Sequence, residues 1–417
     1  MSARGVGVVA GALAGTMVLA GCMAETPHER ASAQGVETTT LARSLNAAGF
    51  DIFRAAGDAP NLSISPVSIG IAFGMVKTGA NGPVSAALDE VFEYPDSDAV
   101  LLREFNALDL ATSSEPGEGA ENVEGETIDL PIVRIANRAY LDEDFTPRDD
   151  YLVKIGTYFG ADAVSAPLRK NPERSRELIN GWVSDRTQGL VKNIMPEDQP
   201  TPLTQMVLVN TVYMKAQWFS PFDATLTRED PFHVEPGRDV TATFMHAALD
   251  ASYVDDEGFA AVVLPYVGEL EMVLIVPDEG EFDEIQGGLS QEFLDDLDAS
   301  AREGHVAISL PKFDTESKTN LRGVIEGGLG VDGLFGVVGL DGIAPDLQVD
   351  AASHATHVIV DEEGTEAGAA TVVDIAATGM PVYDNEIYAD RPFLYVIRDT
   401  ETGAVLFVGR YSDPSVQ

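Results

Sequence analysis

The sequence predicts an α+β chain folded as one unit, and three observations carry that expectation. Helical spacing governs the stretch from Thr38 to Ala55 and the apolar run after Ser65. Strand-like apolar runs govern much of the remaining chain, from Ile132 to Val408. Neither an internal repeat nor a second domain is evident along the 417 residues, of which 45% are hydrophobic, enough to bury a sizeable core. With 26 basic against 68 acidic side chains the net charge is −42, which argues against nucleic acid and anionic membrane surfaces as partners.

The chain opens on a short basic region at Arg4 and a small, apolar stretch from Gly5 to Ala20, too short and Gly-rich for a membrane span. Leu19-Ala20-Gly21-Cys22 resembles a bacterial lipobox, and Cys22 is the sole cysteine, so no intramolecular disulfide forms. The expected organisation is a lipoprotein signal peptide over 1–21, lipidated Cys22 with a flexible tether over 22–36, and one domain over 37–417. That implies an extracytoplasmic, cell-envelope protein anchored through Cys22. The alternative is an ordinary secretory signal with a chance cysteine.

Leu41, Leu45, Phe50, Ile52 and Phe53 give an amphipathic first helix. Ser65 is placed as an N-cap and Pro66 as the first residue of a second helix. This helix is apolar all round and therefore central, so Ser68 inside it needs a hydrogen-bond partner. Ser113–Thr127, rich in Glu, Gly and Ser, reads as a solvated acidic loop. Ile132–Tyr140 reads as a strand. Leu178-Ile179 and Trp182-Val183 give an i, i+4 helical face, with Gly189 as its stop. Met206–Lys215 suits a strand buried on both faces, in which Asn210 demands polar partners. Further strands are read at Val262–Tyr266, Met272–Pro277 and Val306–Phe313. A short helix spans Asn320 to Gly330, His354 begins a strand, and Phe393–Ile397 with Val405–Val408 form a hairpin.

One stretch stands out. After the strand-like Val358-Ile359-Val360 comes Asp361 and then Glu362-Glu363-Gly364-Thr365-Glu366-Ala367-Gly368-Ala369-Ala370-Thr371. Its composition is that of an exposed loop. Its small residues would also slide between neighbouring backbones, and Thr371–Ile375 has strand propensity. Thr365, Ala367, Ala369 and Thr371 fall on one face by alternation; Glu366, Gly368 and Asp374 fall on the other.

Here the chain resembles the serpins, the serine protease inhibitor fold. Glu362–Ala367 followed by Gly/Ala and Thr371 is similar to that family's hinge, and Asp390–Ile397 to its C-terminal signature. Asn61–Val76 with Thr78–Gly82, Ile179–Gly189 and Asn210–Phe222 are similar to further serpin segments, so the resemblance runs from about Thr38 to Pro414. It implies a large, mostly antiparallel central sheet with flanking helices, further sheets and an exposed reactive-centre loop over about 362–390. It implies that Ser65, Ser68, Asn210 and His354 form the buried "shutter" cluster where the sheet opens. Trp218, Lys312 and Glu362 would form the "breach" where the loop enters, with a Lys312–Glu362 ion pair.

The implied activity is suicide-substrate inhibition of a serine-type, or cysteine-type, endopeptidase by a non-enzymatic monomer. Counting seventeen residues from Glu362, both ends included, puts the cleaved bond at Thr378-Gly379, with Met380 as a competing site. The small residues there favour elastase-like or subtilisin-like targets, and the missing Arg or Lys disfavours trypsin-like ones. The acidity around Ser113–Thr127 makes heparin activation unexpected. No Gly-x-Ser-x-Gly elbow occurs, and no metal or cofactor is implied: His354 and His357, at i, i+3 on one strand, point to opposite faces. The alternative is a non-inhibitory serpin acting as a surface binding lipoprotein, which would suit a hinge with Pro or bulky residues.

Overall fold

The computed structural model describes residues 29–94, 98–114, 119–121, 127–128, 130–365 and 382–416. In chain order the first elements are α1 (Thr39–Ala55), β1 (Asn61–Ile64), α2 (Pro66–Lys77), α3 (Gly82–Phe92), α4 (Asp98–Thr112), β2 (Ala120–Glu121), β3 (Thr127–Ile128), β4 (Ile132–Asp142), α5 (Asp149–Phe159), β5 (Asp162–Ala166), α6 (Pro172–Arg186) and β6 (Met206–Gln217). Next come β7 (Arg228–Glu235), β8 (Arg238–Asp256), β9 (Phe259–Pro265), β10 (Leu270–Pro277), α7 (Phe282–Gly288), α8 (Gln291–Ser300), β11 (Arg302–Pro311) and β12 (Phe313–Asn320). The chain closes with β13 (Ala351–Val360), β14 (Gly364–Thr365), β15 (Asn385–Tyr388), β16 (Phe393–Asp399) and β17 (Val405–Tyr411).

Two sheets dominate. One has nine strands in the order β1-β17-β16-β10-β9-β8-β11-β15, with β7 on β8; the other has six, in the order β12-β13-β14-β6-β4-β5. Antiparallel pairs are the majority, but β4–β5, β6–β13 and β11–β15 are parallel.

Helix α2 is buried along nearly its whole length, because its sequence is apolar on every face. It packs against β17 of one sheet and against β4 and β6 of the other. Its start is set by Ser65, whose Oγ accepts from the Ser68 N–H, and by Pro66 at the first turn. Strand β6 is covered on both faces. Met206, Leu208, Val212 and Met214 join the main core, while Val207 and Val209 join a smaller core with Ile179 and Val183 of α6.

The structure departs from the sequence reading at four places. The apolar run Val306–Phe313 is not one strand. It breaks at Lys312, with β11 in the nine-stranded sheet and β12 in the six-stranded one, so Lys312 marks a change of sheet. The inward pair on α6 is Ile179 and Val183, whereas Leu178 is exposed. Within the acidic stretch after Thr112, Ser114 bridges Val133 and β2 pairs with β3, so the described part is a hairpin rather than a plain loop.

Within the stretch 22–36, expected to be a flexible tether, Arg30 and Ala31 bond to the domain. Ala31 N–H donates to Thr157 O, and Arg30 reaches Asn106 and Asp109 of α4. Among the described residues no helix is long and apolar enough to cross a membrane.

Candidate functional site

The site is built where β6 and β13 separate. The two strands pair in parallel only from Ala351↔Val207 to Ala355↔Thr211. Farther along, Gly364 and Thr365 sit between them, paired antiparallel with Gln217 and Ala216 of β6 and, at Thr365, with Val360 of β13.

Near the end of the direct pairing His354 lies opposite Asn210, both buried. His354 Nε2 accepts the Ser65 N–H at 2.9 Å, so Nδ1 carries the ring proton and donates it to Asn210 Oδ1. The Asn210 amide in turn donates toward Ser68 O at 2.9 Å and Asn137 Oδ1 at 2.5 Å, with Ser68 Oγ also in reach. Complete burial pushes the His354 imidazole down to about 3, so the ring is neutral at ordinary pH. The four residues singled out in the sequence meet here, Ser65 through its backbone and capping hydroxyl. Asn137, on β4, completes the network and was not singled out. Neither was the adjoining hydroxyl group, in which Ser63 Oγ meets Thr356 Oγ1 at 2.6 Å and Ser317 Oγ accepts the Ser63 N–H at 2.8 Å.

At the far end Lys312 Nζ donates to Glu362 Oε2 at 2.6 Å, and Thr227 Oγ1 donates to Glu362 Oε1 at 2.7 Å. Burial pushes the Glu362 carboxyl up, but the hydrogen bonds from Lys312 and Thr227 outweigh it and hold the group below the usual range. Trp218 spans the turn that follows β13. Its indole N–H donates to Asp361 O at 3.0 Å and its backbone N–H to Glu363 O at 2.8 Å. The turn is tied internally by Asp361 Oδ1, which accepts from the N–H groups of Glu363 and Gly364.

Gly364 has φ +151°, and a Cβ there would stand 2.1 Å from Ala216 O, so only glycine fits this approach. Thr365 then turns inward. Its hydroxyl meets Tyr266 OH at 2.7 Å, and the Tyr266 ring stacks on Trp218 at 4.2 Å. Trp218, Lys312, Glu362, Glu363, Gly364 and Thr365 are thus gathered in one place. The remaining expected positions, Glu366–Thr371, the bond Thr378-Gly379 with Met380, and Cys22, lie outside the described residues. Among the described residues no group of three or more His, Cys, Asp or Glu is arranged to hold a metal ion.

Comparison with known proteins agrees with this geometry. The family model described as Serpin (serine protease inhibitor) matches residues 43–414. The chain is 32% identical over 381 residues to an uncharacterized serpin-like protein of Thermococcus kodakarensis, covering 90% of this chain and 86% of that one. It is 31% identical over 386 residues to the leukocyte elastase inhibitor of Homo sapiens, covering 87% of this chain and 97% of the inhibitor. Among solved structures, the native state of the thermophilic serpin tengpin superposes with a TM-score of 0.81 at 26% identity, covering 93% of this chain and 97% of tengpin.

Proposed function

Because the chain belongs to the serpin (serine protease inhibitor) family, we propose that it inhibits a serine-type, or cysteine-type, endopeptidase as a suicide substrate. The protease nucleophile attacks the Thr378 carbonyl and forms an acyl bond to it. The Thr378-Gly379 peptide bond breaks, and the Gly379 amine leaves with the proton. The freed segment then enters between β6 and β13 and carries the acylated protease with it.

The observation that supports this reading is the seat of Gly364-Thr365. These two residues already pair with β6 and run antiparallel to both neighbouring strands. The next residues therefore have a direction of travel, toward Asn210 and His354. Ala367, Ala369 and Thr371 are small enough for the inward positions of such a strand. About a dozen new ladder bonds at ~1 kcal/mol each are comparable to the whole stability of an ordinary domain, enough to distort a captured protease. In this account Lys312, Glu362 and Trp218 hold the entrance. Ser65, Ser68, Asn210 and His354 are remade around the incoming strand.

The small residues Ala376-Ala377-Thr378 favour an elastase-like or subtilisin-like target. The protein acts as a monomer without heparin, outside the cytoplasm and held to a membrane through lipidated Cys22. Mixing the full-length chain with elastase and with subtilisin, followed by denaturing gels and intact-mass analysis, tests the proposal. The expected result is a complex stable in SDS and a released peptide beginning at Gly379. A peptide beginning at Pro381 moves the bond to Met380. Clean cleavage without complex by every protease tried overturns the inhibitory reading.

A further inference from the structure

The seat of Arg30 and Ala31 fixes where the chain leaves the domain on its way back to Cys22. Arg30 donates to Asn106 at 3.1 Å and to Asp109 at 2.8 Å, and the Ala31 N–H donates to Thr157 O at 2.9 Å. Eight residue steps separate Cys22 from Arg30. Fully extended, they span at most about 29 Å. A chain of this length folds to a body roughly 50 Å across. A lipid on Cys22 therefore keeps the seat side of the domain toward the bilayer, and the β12 edge of the six-stranded sheet away from it.

The seat side is built by β5, the other edge strand of that sheet, with α5 before it and α6 after it in the chain. Arg30, Gly156, Phe159, Trp182 and Arg186 border one depression there, so the seat and both helices share a surface. The charge of this part differs from the rest. Residues 132–192 carry 10 basic and 9 acidic side chains, whereas the remainder of the chain carries 16 basic and 59 acidic. An anionic bilayer repels the acidic remainder and leaves this edge nearly indifferent, which turns the domain toward the edge. Two large apolar side chains are exposed on it. Val153 is 47% exposed, one turn before Thr157, and Leu178 is 38% exposed, one turn before Trp182. Arg186, one turn further on, completes a stripe of the kind that sits at lipid headgroups, with apolar, aromatic and cationic side chains in line. The hairpin β2–β3, between Ser114 and Val133, bounds this face with acidic residues.

We propose that the domain lies on an anionic bilayer through this face, with α5, β5 and α6 apposed to the lipid headgroups. The inference rests on the lipid anchor at Cys22 and adds an orientation to it. The orientation suits protease capture. Gly364 and Thr365 pair with Gln217 and Ala216 of β6, whereas Asp162, at the start of β5, lies level with Arg138 and Val209. Seven residues of β6, roughly 24 Å, separate the two levels, so the entrance for the loop stays clear of the bilayer and open to a protease.

Cys22 is the sole cysteine, so the mature chain, 22–417, couples through one thiol to vesicles of phosphatidylcholine and phosphatidylglycerol that carry a maleimide headgroup. The link forms on the sulfur that the native lipid would occupy. Hydroxyl-radical footprinting then compares free and coupled chains. The expected result is a several-fold fall in oxidation of Val153 and Leu178 on vesicles, with the comparably exposed Val338 and Tyr388 unchanged. Arg30→Ala loosens the seat and should return Val153 and Leu178 to the free level on vesicles, while the footprint of the uncoupled variant matches the parent. No fall at Val153 and Leu178, an equal fall at all four positions, or full protection retained in Arg30→Ala overturns the proposal. Mass analysis of the full-length chain expressed in a bacterium reads the anchor separately. A Cys22 without diacylglycerol overturns the anchor and, with it, docking in the cell; uniform footprints on vesicles overturn the docking face alone. Neither readout involves a protease, so failure here is separate from failure of the inhibitory reading.

Discussion

The hydroxyls of Tyr266 and Thr365 meet at 2.7 Å, both buried, and this bond seats the start of the loop segment inside the six-stranded sheet. Burial holds the Tyr266 hydroxyl well above its usual range, so it stays protonated. Its ring is fixed by the stack on Trp218, which also binds the turn through Asp361 and Glu363. Tyr266→Phe is expected to lower stability by about 1–2 kcal/mol, since the Thr365 hydroxyl loses a buried partner. Urea denaturation measures this, and hydrogen exchange at the Thr365 amide should speed up. An unchanged midpoint would show that the seat does not depend on this bond.

Gly364→Ala tests the close approach of β14 to β6. The added methyl meets the Ala216 carbonyl at 2.1 Å, and the backbone at φ +151° disfavours any side chain. A loss of about 2 kcal/mol or more is expected, together with faster proteolysis just after Thr365 as the segment leaves the sheet. Equal stability and equal cleavage would mean that Gly364-Thr365 does not sit where the register places it.

Lys312 and Glu362 should couple by about 1 kcal/mol at pH 7 in a double-mutant cycle of Lys312→Met and Glu362→Gln, because Lys312 is partly exposed and screened. Glu362 titrates below its unfolded value, so its contribution is complete above the unfolded carboxylate range. The coupling is lost as pH falls through the folded value. Urea melts in steps from pH 7 downward measure both. A coupling that starts to fall at or above the unfolded carboxylate range, rather than below it, contradicts the assignment.

His354 carries the opposite kind of group with the same slope. Its folded value near 3 lies below the unfolded imidazole value near 6.5, so the unfolded chain binds the extra proton between them. Its contribution is complete above pH 6.5 and falls by at most about 1.4 kcal/mol per pH unit as pH drops toward 3. His354→Asn should be less stable at pH 7, by about 1–3 kcal/mol, and should lose less of its stability between pH 6.5 and 4. Thermal melts across that window measure the two slopes. Parallel curves would show that the ring is not the buried neutral acceptor described above.

Asn210 was legible because a polar side chain inside an apolar run has to find partners, whereas His354 was placed by the family resemblance. Ser65 was legible from Pro66 after it. Asn137 was not: alternation puts it on the face opposite Arg134 and Arg138, but its meeting with Asn210 depends on the long-range pairing of its strand with β6. Ser63, Ser317 and Thr356 are small hydroxyls that strands accept on either face, so their meeting depends on which strands become neighbours. Lys312 was read as part of one continuous strand. Its place between two sheets comes from long-range pairing with β8 and β13, which local pattern does not encode. Arg30 lies in a polar stretch, and only α4 and α5 brought together give it a socket.

The central claim is that cutting the loop lets the segment after Thr365 become a strand of the six-stranded sheet. Thermal unfolding of the full-length chain before and after limited cleavage at the loop measures this most directly. The account predicts a rise in the melting temperature of roughly 10–20 °C on cleavage, from about a dozen added ladder bonds. A melting temperature that stays the same or falls after clean cleavage at Thr378-Gly379 would contradict it.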